Sequence, residues 1–461
     1  MQGALELKRP NILLISIDTL RADRLGCYGH PGGLTPNLDR IAESGIRFSQ
    51  AITGGSWTQA AFPVLMTSTY ASMFGGCRGP LASSRPAGVE TAASNGYSTA
   101  GFVTSPLLGK TYGYDRGFQD FIELEPEETD PRLRYIKGGQ ALLRRSHTHR
   151  LGRLVGMRTR PTLPYVSAAK LNSEVYGWLE QTREPFFAWI HYMDVHWPYH
   201  LEEDLVGPDE TARAWRDLAK MYEINRKKRQ IDPELRERFI HLYERAVMYV
   251  DAQIGELLSY LRDSGRIDNT IIVVVSDHGE EFFERDHWGH VEINLCDEII
   301  RVPLILVLPD EASGVTVEDQ VSTMDLMPTM LELCGCPVPA GMLGESLVPL
   351  LRNGNRRKAE ETIAVSERWR DTSHMIAVRT SDYKYLWDHR NPAQSKLYDL
   401  RSDPGELTDV SEAYPAVASR FDSYVHHVRM LAAQTKLGEP VAAPELDENV
   451  VSRLRDLGYL E

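Results

Sequence analysis

The stretch Thr270-Ile271-Ile272-Val273-Val274-Val275-Ser276-Asp277-His278-Gly279-Glu280 decides the fold. It is a short β-rich run with no polar alternation, and it ends abruptly in acid/base side chains. Such a run predicts a strand covered on both faces. Four more runs have the same texture: Asn11–Ile17, Ser98–Thr104, Phe186–His191 and Val302–Leu308. Helical patterns lie between them, one at Ser173–Thr182 and another at Arg236–Leu261, which is apolar at Phe239, Leu242, Ala246, Tyr249 and Val250. Apolar strands alternating with helices predict an α/β fold whose sheet is parallel and sandwiched by helices. Ligands of such sheets sit beyond the carboxyl ends of the strands.

Three strand ends carry chemistry. The Asn11 run stops at Asp18-Thr19, the Phe186 run at Asp194-Val195-His196, and the Thr270 run at Asp277-His278. One Asp there would be an ordinary cap or turn residue. Three sets on one edge, two of them with His, point to a site.

The chain has 461 residues, and 51 Lys plus Arg against 65 Asp plus Glu give a net charge of −14. That balance speaks against nucleic acid as partner. A hydrophobic fraction of 42% supports a full core. Five cysteines make no disulfide framework, and MQGALELKRP has no apolar signal region, so the expected location is the cytoplasm. No run reaches the ~18 apolar residues of a membrane span. Residues 131–173 hold ten Lys and Arg and no Asp or Glu. This basic insertion reads either as a lid or arm for an anionic polymer, substrate or membrane surface, or, more plainly, as a solvated helical face. After about residue 350, short strand-like pieces (MIAVRT, YKYLWD, KLYDL) between turn signals predict a small antiparallel sheet, so the expected division is 1–350 and 351–461.

Asp18, Asp277 and His278 supply two carboxylates and an imidazole, a ligand set for a divalent cation. The candidate nucleophile lies in Gly54-Gly55-Ser56-Trp57-Thr58-Gln59, where the plainer reading of Thr58 is an ordinary helix-cap residue. Ser56 and Gln59 have capping-box spacing, which would put Thr58 in the first turn of a helix, although Pro63 allows the helix to start there instead. A cation beside Thr58 would lower the pKa of its hydroxyl and make it an additional ligand. His196 and His290 are read as groups that bind the transferred group or assist the leaving group, and Asp194, His196 and His290 as a second metal or substrate set. His287 is left open, and His191 is read as core.

These residues resemble the sulfatase family of the alkaline phosphatase superfamily. RPNILLISIDTLRADRLGCYG with TPNLDRIAESGIRFSQA is similar to the family's first metal-ligand strand and following helix, and SWTQAAFPVLMTSTYAS to its nucleophile segment. FFAWIHYMDVHWPY, VVVSDHGEEFFERDHWGH, RVPLILVLP, STMDLMPTMLELCG, GESLVPLL, VRTSDYKYLWD, KLYDLRSDPGE and the ending RLRDLGYL resemble later landmarks. The resemblance implies an α/β/α sandwich with a C-terminal antiparallel subdomain, and metal-dependent hydrolysis of sulfuric or phosphoric esters. It departs at the nucleophile: the family's Cys/Ser-x-Pro-x-Arg is Thr58-Gln59-Ala60-Ala61-Phe62, so no formylglycine is expected. The paired acid is Asp18-Thr19, and Asp-Asn is Asp277-His278. Thr with Asp-His is similar to the superfamily's phosphodiesterases and phospho-group transferases. The expected cofactor is zinc, manganese or calcium, and the expected substrate an anionic small-molecule, glycan or lipid ester. The alternatives are a transferase onto a glycopolymer or lipid, and a non-catalytic binding protein of this fold.

Overall fold

The computed structural model of the chain describes residues 9–126, 163–199, 231–285, 287–290, 294–309, 314–353, 362–370, 373–435, 444 and 446–459. The basic residues 132–160 of the insertion lie outside them.

An eight-stranded sheet forms the centre. Its spatial order is Val315–Val317, Ile46–Phe48, Leu304–Val307, Thr270–Ser276, Asn11–Ile17, Phe186–Tyr192, Ser98–Val103, Asp120–Glu123. The Asn11–Ile17 strand is paired in parallel on both sides, with Ile17 opposite Tyr192 and Ser276. That register brings three of the sequence-predicted strand ends to one level.

Alternation along the first strand builds two cores. Leu13, Ile15 and Ile17 face the helices Ala168–Gln181 and Pro233–Asp263, whereas Ile12 and Leu14 pack with Phe62, Leu65, Leu326 and Met330. Both faces are thus apolar, which is why the strands show no alternation in sequence.

The predicted fifth strand differs from expectation. Pro303 divides it. Arg301–Val302 pairs with Ala51–Ile52, and Leu304–Val307 joins the main sheet antiparallel to Thr270–Ser276. Proline has no N–H for a ladder. The chain between Ser276 and Arg301 is mostly site loop, with no long crossover helix among the described residues, so it re-enters from the same end and must run backward. The sheet is therefore mixed, not wholly parallel.

The C-terminal sheet is a four-stranded antiparallel meander of Ala364–Arg370, Ser373–Arg379, Tyr383–Asp388 and Lys396–Asp399, backed by the helix Pro415–Gln434. It grips the main domain at its nucleophile segment: Glu367 N–H donates to the Gly54 carbonyl at 2.9 Å, and Gly55 bridges to Glu367. The last helix, Glu448–Asp456, returns to the central sheet, where Val450 and Leu454 join the core containing Phe62. No helix of the described residues is long and apolar enough to cross a membrane.

Candidate active site

Thr58 opens the helix Thr58–Thr67, as the first-turn reading required. The capping box does not form: Trp57 is the N-cap, and among the described residues no side chain caps the helix and the buried Ser56 hydroxyl has no partner. Pro63 sits inside the helix and does not start it. The two glycines have a steric purpose. A Cβ on Gly54 would overlap the side chain of Val64, and one on Gly55 would overlap Ala60. The strand-to-helix corner is tight enough that only glycine fits, and this sets where Thr58 points.

Asp18, Asp277 and His278 are fully buried, and their ligand atoms all lie within 4.8 Å of one another. Among the described residues they are the one group of three or more His, Cys, Asp and Glu arranged in this way. Nε2 of His278 is 3.7 Å from Asp18 Oδ1 and 3.4 Å from Asp277 Oδ2. Nδ1 of His278 lies 3.0 Å from the Gly279 carbonyl, which fixes the proton on Nδ1 and leaves a lone pair on Nε2. Among the described residues, Asp18 Oδ1 and Asp277 Oδ2 have no hydrogen-bond partner. Three electron-rich atoms thus converge in a buried position, with no donor between them among the described residues. Such an arrangement is costly unless a cation occupies it, so the residues fit a divalent metal.

The charges agree. Burial alone would raise Asp18, but His196, His191 and His278 around it hold its carboxyl down, at about 2. Burial, and then the charge of Asp18, pushes Asp277 up to about 6. Two carboxylates this close resist joint ionisation until a cation joins them.

Thr58 Oγ1 meets this group at 3.4 Å from Asp18 Oδ2 and 3.5 Å from His278 Nε2. Asp18 has a further neighbour. His191 is buried on its strand, as read from sequence, yet its Nε2 stands 3.3 Å from Asp18 Oδ2, while Nδ1 is 3.0 Å from Ser16 Oγ. Nothing local marked this role, because His191 reaches Asp18 only through strand pairing.

Thr19 does not replace the family's second acid. It sits at φ 57°, and its hydroxyl donates to the Val195 carbonyl at 2.9 Å, away from the cavity. Asp194 is likewise turned away: its Oδ1 accepts from Ala168 N–H at 3.1 Å at the start of the helix Ala168–Gln181, and burial raises its carboxyl to about 7. Among the described residues, Asp194, His196 and His290 do not form a ligand group, so the second-metal set is not assembled.

His196 and His290 do come to the site, with ring centroids 5.1 Å apart and His290 4.3 Å from His278. Burial lowers the pKa of both, so both are neutral imidazoles at neutral pH. His290 Nδ1 is 3.1 Å from Glu280 Oε1, and Glu280 Oε2 accepts from Tyr199 O–H at 2.7 Å. Burial pushes Glu280 up to about 8, so its carboxyl keeps a proton at neutral pH and donates it to Nδ1. Nε2 of His290 then carries an N–H, buried and without a partner among the described residues. His287 closes a turn, its carbonyl accepting from Phe283 N–H at 2.6 Å.

The profile of the family described as "Sulfatase" matches residues 10–336, and that described as "N-sulphoglucosamine sulphohydrolase, C-terminal" matches residues 289–429. The chain is 25% identical to an N-acetylglucosamine-6-O-sulfatase of Bacteroides thetaiotaomicron, over 88% of this chain and 83% of that one. It is 24% identical to human arylsulfatase A, over 90% and 87%. The phosphonate monoester hydrolase of Agrobacterium radiobacter has the same fold, with a TM-score of 0.70, 23% identity and coverage of 92% and 96%. So has a protein solved with its substrate D-glucosamine-2-N,6-O-disulfate, at a TM-score of 0.71, 18% identity and coverage of 94% and 99%. With more than half its length matched by that family, and with sulfatases along most of its length as relatives, the chain belongs to the sulfatase family of the alkaline phosphatase superfamily and is an ester hydrolase.

Proposed function

We propose that this protein is a metal-dependent hydrolase of sulfuric or phosphoric esters that uses Thr58, unmodified, as its nucleophile. The observation that carries this reading is the convergence of the lone pairs of Asp18, Asp277 and His278 beside the Thr58 hydroxyl. Those three residues, with Thr58, would hold a divalent cation, which supplies Lewis-acid stabilisation of the anionic ester and favours ionisation of the Thr58 hydroxyl. Thr58 Oγ attacks sulfur or phosphorus, the ester oxygen departs, and the group is held on Thr58. Water then displaces it, restoring the hydroxyl and releasing the acid. His290 Nε2–H, held by the Glu280–Tyr199 pair, donates to a non-bridging oxygen of the group in transfer. Because relatives of this chain are named for sulfated sugars, the proposed substrates are sugar esters of this type.

The test is a panel of aryl sulfate, phosphate monoester, phosphodiester and phosphonate substrates assayed with zinc, manganese and calcium. Thr58→Ala should remove turnover of the preferred substrate while leaving the melting temperature unchanged and a cation still bound by Asp18, Asp277 and His278. Thr58→Ser should retain part of it and yield an ester on the substituted serine, detectable by mass spectrometry. Undiminished turnover by Thr58→Ala would reject the nucleophile.

A further inference from the structure

The chain's far end enters the active site. Tyr459 lies 401 positions after Thr58, yet its hydroxyl is 3.3 Å from Thr58 Oγ1 and 3.0 Å from His196 Nε2. Its ring packs 6.2 Å from Trp57 and 5.6 Å from His196, centroid to centroid.

Its placement is built. Asp447 caps the last helix by accepting from Val450 N–H at 2.8 Å, and Arg453 Nε donates to the Pro164 carbonyl at 3.0 Å. The helix ends in a Schellman turn. Tyr459 N–H donates to the Leu454 carbonyl at 2.8 Å and Gly458 N–H to the Arg455 carbonyl at 3.0 Å. Gly458 takes φ +82°, the left-handed conformation that favours glycine, and this reversal turns Tyr459 toward the sheet edge.

The acceptors fix the hydrogen-bond directions. His196 Nδ1 contacts the carbonyl of Trp197, which accepts only, so the ring's one proton is on Nδ1. Nε2 of His196 is then a lone pair, and the Tyr459 O–H must be the donor to it. The Tyr459 oxygen keeps its own lone pairs facing Thr58. The Thr58 hydroxyl has Asp18 Oδ2 at 3.4 Å and the Tyr459 oxygen at 3.3 Å, and of these the phenol oxygen is the nearer and is itself bonded onward to an imidazole.

We propose that Tyr459 is a catalytic residue that relays the Thr58 proton to His196. This rests on the proposed Thr58 chemistry. As Thr58 Oγ bonds to sulfur or phosphorus and the ester bond breaks, its proton moves to the Tyr459 oxygen. The Tyr459 proton moves to His196 Nε2 in the same event, so the phenol is regenerated and the charge ends on the imidazole. The departing oxygen takes its proton from solvent. When water displaces the group from Thr58, the water's proton goes to solvent and the chain runs backward, returning a proton from His196 to Thr58 Oγ.

Tyr459→Phe removes only the hydroxyl and keeps the ring. On the aryl ester that the wild type turns over best, kcat should fall on the order of 10²-fold with KM within about twofold. The solvent isotope effect on kcat should shrink, and metal content and melting temperature should be unchanged. Tyr459→Phe combined with His196→Gln should be no slower than the worse single variant, because both break one relay. Gly458→Val, which displaces Tyr459 without altering it, should show the same kcat loss. Wild-type kcat and isotope effect in Tyr459→Phe, multiplicative losses in the double variant, or a gain in activity (the mark of a plug over the site) would each overturn the relay. None of these would touch the Thr58 assignment, which falls only if Thr58→Ala stays active or the wild type turns over no ester.

Discussion

Metal binding by this site should release protons, and the amount follows from the two buried carboxylates. Asp277 is raised to about 6 by burial and by the charge of Asp18, which is itself held low by the surrounding imidazoles. In the metal-free protein Asp277 is therefore protonated below about pH 6, whereas a cation needs the carboxylate. Affinity is thus full above that pH and falls as pH drops through it. Each pH unit below 6 costs about tenfold in Kd through Asp277 alone, or about 1.4 kcal/mol. At pH 5.5 roughly three-quarters of a proton should leave Asp277 per ion bound. Calorimetric titration with zinc or manganese in buffers of different ionisation enthalpy counts that proton directly. Asp277→Asn should bind more weakly at pH 7.5 and lose this part of the proton release. An affinity equal at pH 7.5 and 5, with no buffer dependence of the heat, would refute the electrostatic reasoning and, with it, the pairing of these carboxylates around a cation.

Other outcomes follow from the same geometry. Gly54→Ala places a methyl inside Val64 and should cost about 1–3 kcal/mol in stability together with a fall in kcat, read by denaturant melts and turnover. Asp194→Asn should stabilise the protein at high pH. The folded pKa of about 7 exceeds the unfolded 3.8, so the stability tied to the neutral acid is complete below about pH 4 and is lost as pH rises through 7, up to about 4 kcal/mol. Melting temperatures of the two proteins should agree at pH 4 and diverge at pH 8. His191→Phe removes the group facing Asp18 and should weaken metal affinity about 10–100-fold without removing a ligand, as measured by competition with a chelating dye.

Much of this protein was written locally. Asn11–Ile17 and Thr270–Ser276 have the bounds their apolar runs predicted, because a strand buried on both faces is mostly apolar and these two carry no acid or base until they leave the sheet. Asp18, Asp277 and His278 were legible for the same reason: they are the first polar residues after those runs. Thr58 was legible as a first-turn hydroxyl, although its corner is made by glycine sterics and not by the capping box. What the sequence did not display depends on partners far along the chain. The reversal of Leu304–Val307 follows from where the preceding loop ends, not from the run itself. His191 reads as core until strand pairing sets it against Asp18, and Asp194 reads as a ligand until the Ala168 N–H claims it. Tyr459 is one tyrosine in a polar tail until a helix cap, a left-handed glycine and the packing of Val450 and Leu454 carry it to Thr58. Local runs determine elements because backbone sterics and burial act within a few residues. Which side chains share a cavity is decided by packing between elements, an energy that exists only after the chain has closed on itself.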